Sequence, residues 1–387
     1  MTLYAWRFVR MHHSLMTAKR QALFVYIPRG HHLSHVKMLH ELGVLVDLIT
    51  TREFVEKLKV DASDLSVAIH YLGDALKSPS RAFQRLREFT AENQRYDEII
   101  TTSLDEMWQP LLSRSFLRQN PMPAGVALSG IWIGANFIYR GNSDLKRLVC
   151  ECILKRICRS LVGGGGRVLF FNETLRELMV TKMPELIAYL IVCPDPYQGE
   201  VRLVDDDILA EDAEVPTLLM AGYHTQRKGT LWALQALAKW SGPSISVVIA
   251  GVCEDADALN DAIGRLPETV EVDCMNRWVD DEELSFLYRS ARAVLLPYRR
   301  FGGSSGVFVN ALAHRCPVIV PDWGVISERT REYNLGLIFE HDSKASFLAA
   351  IGKALSSILE DRRGGGLDIY LEKNSPKAYI GCLLQSG

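Results

Sequence analysis

The stretch TLLMAGYHTQRKGTLWALQALAKWSGPSISVVIAG, Thr217–Gly251, decides the fold. It opens on an apolar run, breaks at Gly222, crosses a polar turn, resumes at helical spacing, and returns to a second apolar run. Runs of Val, Ile and Leu without alternation suit strands covered on both faces, and a helix between two of them makes a crossover that leaves them parallel. The same unit recurs downstream: EDADALNDAIGRL, VEVDCMNRWV, DEELSFLYRSA, AVLLPY, GVFVNALAHR, PVIVPD, LGLIFE and ASFLAAIGKALSSIL. Residues 216–366 therefore read as a doubly wound α/β domain. Such a sheet binds its ligand at the carboxyl ends of its strands.

The first half follows the same grammar less clearly. QALFVYIP reads as a strand ending at Pro28 and Gly30, HLSHVKMLHELG as a helix stopped by Gly43, and VLVDLIT as the next strand. DEIITT and GRVLFFN are further strands, and LIAYLIVCPDP runs from a helical stretch into a strand closed by Pro194 and Pro196. At ~100–200 residues per domain, 387 residues suit two domains. The expected organisation is a leader over 1–20, a first Rossmann-like domain over 21–200, an acidic linker over 201–215, the second domain, and a terminal helix over 367–387 that packs back on the first.

Composition narrows the function classes. A content of 48% hydrophobic and 23% charged residues is that of a globular protein. A formal charge of −2 disfavours a general nucleic-acid binder. No apolar run approaches the ~20 residues of a spanning helix, and the start lacks the apolar core of a signal peptide. Eight cysteines without C-x-x-C spacing read as small buried hydrophobes in a reducing compartment. No His, Cys or carboxylate set has metal-ligand spacing. The expected location is the cytoplasm, with peripheral contact at the inner membrane face as an option.

Two motifs carry chemistry. GYHTQRKGT, Gly222 to Thr230, leaves a buried strand and enters a helix. Arg227 and Lys228 stand where helix-terminal N–H groups already favour an anion, so they suit a diphosphate; a solvated pair in a polar turn is the plainer reading. YRRFGGSSGVFVNALAHRCPVIVPDWG, Tyr298 to Gly324, places Gly302, Gly303 and Gly306 with Ser304 and Ser305 in a strand-to-helix turn. Exposed amides and hydroxyls there suit phosphate oxygens, and an N-cap serine explains the same residues.

These patterns, G-x-x-x-x-R-K-G, then Pro297-Tyr298, S-S-G-V-x-x-x-A-L-A-x-x-x-P-V-I and D-x-G, resemble the donor-binding domain of GT-B glycosyltransferases, with family 4 of the retaining enzymes as the match. The resemblance is sharp over Val215–Leu359 and diffuse over Gln21–Pro196. It implies that Arg227 and Lys228 hold a donor diphosphate and that Ser304, Ser305, Gly306 and Val307 cradle it. Gly222, Tyr298 and Asn310 complete the implied donor set. Many family members carry a glutamate in this turn and another in the next helix; here those positions hold Gly302 and Asn310. PDPY, Pro194–Tyr197, resembles the end of the family's first domain.

The acceptor side falls to the first domain. Gly30, His31 and His32 follow its first strand, with Gly30 at the family's close-approach position; a solvated or capping histidine is the alternative. Asp105 and Glu106 in TTSLDEMW lie where the family often meets its acceptor. The implied activity is metal-independent transfer of a sugar from a nucleotide-diphosphate donor to a hydroxyl of a glycan or lipid-linked acceptor, in polysaccharide or glycoconjugate synthesis, with no resident cofactor. A catalytically silent nucleotide-sugar-binding subunit, and a sugar-nucleotide epimerase of the same architecture, are the rivals. LKRLVCECILKRICRSLV, Leu145 to Val162, is apolar at helical period and basic between. It suits either a helix covering the sheet or one lying on anionic lipid.

Overall fold

The computed structural model describes residues 20–28, 31–58, 68–140, 144–198, 215–356 and 365–384. Most of the expected leader and linker, and Gly30, lie outside them, as does the side chain of His31. In the first domain the strands are β1 Gln21–Phe24, β2 Asp47–Thr50, β3 Ile69–Tyr71, β4 Glu98–Thr101, β5 Ala127–Trp132, β6 Val168–Phe170 and β7 Leu190–Val192. The intervening helices are α1 His31–Glu41, α2 Arg52–Leu58, α3 Pro79–Glu92, α4 Trp108–Phe116, α5 Leu145–Gly163 and α6 Glu173–Lys182. The seven strands are parallel in the order β3-β2-β1-β4-β5-β6-β7.

The second domain contains β8 Thr217–Ala221, β9 Ile245–Ala250, β10 Val270–Met275, β11 Ala293–Leu295, β12 Val318–Pro321 and β13 Gly336–Phe339. Its helices are α7 Thr230–Leu237, α8 Ala256–Ile263, α9 Asp281–Ser290, α10 Gly306–Ala313, α11 Val325–Tyr333 and α12 Lys344–Ser356. The sheet order is β10-β9-β8-β11-β12-β13, again all parallel. In both sheets the order reverses beside the first strand, which puts a crevice at the carboxyl ends of β1 and β8. Helices cover both faces, and the cores are aliphatic: Leu219, Val294, Val318 and Phe308 on one side of the second sheet, Leu218, Ile249 and Phe347 on the other.

The chain end corrects an expectation. One terminal helix was expected over 367–387; there are two, α13 Gly365–Lys373 and α14 Pro376–Leu383. Pro376 at the first position of α14 has no N–H to continue α13, and Ser375 caps the new helix through Ala378 N–H. The break separates two docking jobs. Leu367, Tyr370 and Leu371 of α13 pack into the second domain's core, whereas Tyr379, Cys382 and Leu383 of α14 pack into the first's. Arg167 caps the far end of α14 by donating to the carbonyls of Cys382 and Leu383, while its guanidinium pairs with buried Glu98 at 3.2 Å.

The chain thus crosses between domains near Pro196 and again between α13 and α14. The two crossings are tied together, because Asp195 N–H donates to Asn374 Oδ1 at 2.9 Å.

Candidate active site

The Arg227–Lys228 motif forms a short 3₁₀ turn, Gln226–Lys228, held from beneath by His224. The His224 Nε2–H donates to the Ala250 carbonyl, which leaves Nδ1 to accept from Thr230 Oγ1 at 2.7 Å. Burial lowers the pKa of this ring to about 4, so it stays neutral and keeps that tautomer. Gly229 closes the turn at φ +72°, and a Cβ there would lie 1.9 Å from the Pro297 carbonyl oxygen. Only glycine fits, and the fit draws the cationic turn against the end of β11.

The second motif meets the first there. Lys228 Nζ donates to Tyr298 Oη at 2.6 Å, and that hydroxyl bonds Ser305 Oγ at 2.8 Å. Gly222, at the end of β8, lies against Val307 and Lys228: a Cβ there would stand 3.3 Å from the Val307 methyl and 3.8 Å from Nζ. The Arg227 guanidinium lies over the Phe301 ring at 4.3 Å. Gly222, Arg227, Lys228, Tyr298, Ser305, Gly306 and Val307 therefore converge at the amino end of α10.

Ser305 occupies the N-cap of α10 yet makes no capping bond, because its hydroxyl is turned to Tyr298. The first-turn amides are left open, and nothing occupies the space a Cβ would take at Gly306. Among the described residues neither Arg227 nor Lys228 has a carboxylate ion-pair partner. Two unneutralised cations beside an uncapped helix start have the charge and open donors that suit a dianion.

Other residues expected at the donor bond protein partners across the domain boundary. The Ser304 hydroxyl, expected to face a phosphate, donates to the Asp195 carboxylate across the domain boundary. Asn310, expected at a ribose, has its Oδ1 taken by Gln198 N–H at 2.9 Å. Gly302 is clasped from both sides: its N–H donates to Asn136 Oδ1 at 2.5 Å and its carbonyl accepts from Asn172 Nδ2 at 3.0 Å. A Cβ at Gly302 would come within 2.4 Å of the Tyr139 ring. The glycine turn is thus a joint between domains.

Asp195 and Arg329 were not singled out from sequence, yet they anchor that joint. Arg329, 2% exposed, donates to Asp195 Oδ2 at 2.8 Å, to the Phe171 carbonyl at 2.6 Å and to Glu173 at 3.3 Å. Burial pushes the Asp195 carboxyl up, against the pull of Arg329. A signal existed for Asp195, which lies between two prolines at the first domain's end; Arg329 sits in a polar helix that reads as surface.

On the first-domain side His32 is buried rather than solvated. Its Nδ1 bonds Thr102 Oγ1 at 2.8 Å, and its Nε2 lies 4.0 Å from Glu106 Oε1. These three residues group at the carboxyl ends of β1 and β4. Asp105 belongs elsewhere: it accepts from Ser103 and from Gly134 N–H at 3.2 Å, and burial pushes its carboxyl up. These bonds tie it to the loop after β5.

His35, one turn beyond His32, was not predicted as a site residue. With Ser304, Ser305 and Gly306 it lines a cavity of about 100 Å³ at the domain boundary. It bonds Tyr379 Oη of α14 at 3.1 Å, and burial, helped by His32, lowers its pKa to about 3. Among the described residues no group of three or more His, Cys, Asp or Glu is placed to hold a metal ion. No helix among them is long and apolar enough to cross a membrane.

Residues 215–357 match the model of the family "Glycosyl transferases group 1". No curated protein sequence matches the chain. Among solved structures, a glycosyltransferase from Rickettsia africae superposes with a TM-score of 0.66 at 13% identity, covering 96% of this chain and 100% of that one. WaaG, a glycosyltransferase involved in lipopolysaccharide biosynthesis, gives 0.61 at 13% identity, covering 95% and 100%. HepE from Anabaena, in complex with UDP and glucose, gives 0.63 at 12%, covering 94% and 98%. At such identities the likeness carries the fold, and the motif match carries the second domain. The chain has the GT-B architecture of glycosyltransferases, with a second domain that matches the Glycosyl transferases group 1 family.

Proposed function

We propose that the protein transfers a sugar from a nucleotide-diphosphate donor to a hydroxyl of a glycan or lipid-linked acceptor, with retention at the anomeric carbon and without a metal. The observation that carries this is the pair Arg227 and Lys228, without carboxylate partners, beside the uncapped start of α10. The HepE relative, described with UDP and glucose, favours a nucleotide sugar as the dianion. In this reading the bond from the anomeric carbon to the diphosphate breaks and a bond to the acceptor oxygen forms. The acceptor proton passes to the departing phosphate. Arg227, Lys228 and the amides of Gly306 and Val307 stabilise the charge that grows there, and His32 with Glu106 orients the acceptor.

A second reading, a nucleotide-sugar-binding subunit without turnover, is favoured by one observation. The family's two glutamate positions hold Gly302, packed against Tyr139, and Asn310, occupied by Gln198. One experiment separates the two: nucleoside diphosphate release from a panel of sugar nucleotides, with and without a glycan and lipid extract. Acceptor-dependent release that falls roughly 100-fold or more in Arg227→Ala/Lys228→Ala supports transfer. Release indifferent to that double substitution contradicts it, and tight binding with no release favours the silent subunit.

A further inference from the structure

Helix α5 carries two apolar stripes, and the fold uses one. Leu154, Ile157, Cys158 and Leu161 are buried against the sheet. Leu145, Leu148, Val149 and Cys152 repeat at the same helical spacing on another face, and that face is open. Covering the sheet explains the first stripe and leaves the second without a cause.

The second stripe does not stand alone. Together with α4 it walls a shallow groove of about 840 Å³ whose lining contains Arg118, Lys155, Arg156 and Arg159 and no carboxylate. At its edge apolar side chains project outward: Phe116 is 62% exposed, Leu117 67% and Leu145 74%. The Arg156 guanidinium stacks 4.2 Å from the Phe116 ring and donates to the Ser115 carbonyl, so the lip is held in place. Arg159 has one exposed partner, Glu185 at 3.3 Å, while Arg118 and Lys155 have no ion-pair partner among the described residues.

From these features we propose that the α4–α5 groove is where the protein docks on an anionic lipid bilayer. Projecting aliphatic and aromatic tips enter the headgroup–acyl boundary, and flanking cations of a single sign meet the lipid phosphates. A protein partner would have to offer an equally one-sided acidic and apolar surface. A bilayer offers that chemistry without shape matching, which suits an open groove with protruding walls. Arg147, in the first turn of α5, donates to the carbonyls of Ile138 and Arg140. That same loop carries Asn136, which holds Gly302 at the domain joint. The start of α5 is thus tied to the domain joint, while the groove runs from there toward the opposite end of the sheet. The link to a lipid-borne acceptor rests on the transfer reading; the docking itself does not.

The test is flotation of the full chain with vesicles of phosphatidylcholine alone, or containing about one third phosphatidylglycerol, with no nucleotide or acceptor present. Binding is expected only to the anionic vesicles, weakening as salt screens the cations. Each cation near such a surface strengthens partitioning about fivefold, so Arg118→Gln/Lys155→Gln should bind roughly 30-fold more weakly. Leu148→Ser/Val149→Ser, at exposed positions, should lose roughly tenfold from reduced apolar burial. Arg265→Gln/Lys377→Gln, which removes two exposed cations elsewhere, should bind like the parent. Binding that ignores lipid charge, absent binding, or groove variants that bind like the parent would overturn the proposal. So would self-association by light scattering that Leu148→Ser/Val149→Ser abolishes, since the groove would then be an interface between copies. None of these outcomes bears on sugar transfer.

Discussion

Replacing Arg329 by methionine would remove a guanidinium that lies against three acceptors at the domain joint. Its loss would leave the Asp195 carboxylate, 6% exposed, without its cation at 2.8 Å, and breaking one side of such a buried pair costs about 3–5 kcal/mol. The Phe171 carbonyl would lose a donor at 2.6 Å, which adds about 1 kcal/mol. Glu173, 3.3 Å away, is partly exposed and regains water, so it adds little. Proton uptake by Asp195 limits the total to about 4 kcal/mol. With the cation gone, burial and the nearby Glu173 charge push the Asp195 carboxyl further up, opposed only by the Ser304 hydroxyl. Such a group stabilises at low pH and loses that contribution as pH rises, so the variant's deficit should shrink on moving from neutral to mildly acidic pH. Urea unfolding followed by tryptophan fluorescence measures the loss, and Asp195→Asn closes the cycle. The double substitution should cost about 2 kcal/mol less than the sum of the singles. A loss under about 1 kcal/mol for Arg329→Met, or additivity within about 0.5 kcal/mol, would refute the reasoning.

Three further outcomes follow from the same contacts. Gly302→Ala drives a Cβ into the Tyr139 ring at 2.4 Å and should lower stability by about 1–3 kcal/mol in urea unfolding. Gly302→Glu, which places there the glutamate that the family 4 resemblance would lead one to expect, should lose more and gain no activity. His35 and His224, with pKa values of about 3 and 4 against 6.5 when unfolded, bind protons more readily in the unfolded chain. Their contribution is complete above pH ~6.5 and is lost as pH falls toward ~4, so the urea midpoint should drop through that window, less so in His224→Gln. His32→Gln and Glu106→Gln should each slow transfer roughly 10–100-fold while calorimetry shows unchanged nucleoside diphosphate affinity. Equal loss of both would move these residues out of the acceptor role.

The second sheet was legible because its strands are continuous aliphatic runs, and its helices alternate with them. What escaped notice was polar for structural reasons. β5 reads ALSGIW, interrupted by Ser129, which bonds buried Glu98, and by Gly130, where a Cβ would strike the Thr101 carbonyl at 2.5 Å. α11 reads VISERTREY and looks exposed, yet Arg329 and Thr330 are buried, Arg329 at the domain joint and Thr330 bonded back to the Ile326 carbonyl. β3 is a three-residue edge strand with no apolar run to mark it.

The same distinction runs through the site. The convergence of Arg227, Lys228, Tyr298, Ser305 and Gly306 was readable because a strand end, a glycine and a helix start sit together in sequence. Ser304 and Asn310 were expected at a ligand, and the bonds they make to Asp195 and Gln198, over a hundred positions away, could not be read from sequence. Residue type indicated a hydroxyl and an amide at the cleft. Only the closed arrangement of two domains determines what they bind.

Calorimetric titration of the full chain with uridine, guanosine, adenosine and thymidine diphosphates tests the central claim most directly. The account predicts that at least one nucleoside diphosphate binds with a favourable enthalpy. Arg227→Ala/Lys228→Ala should weaken that binding roughly 100-fold, at two charge-assisted contacts of about 1.5 kcal/mol each, while leaving the unfolding midpoint in place. Binding unchanged by the double substitution, or no binding of any nucleoside diphosphate, would contradict it.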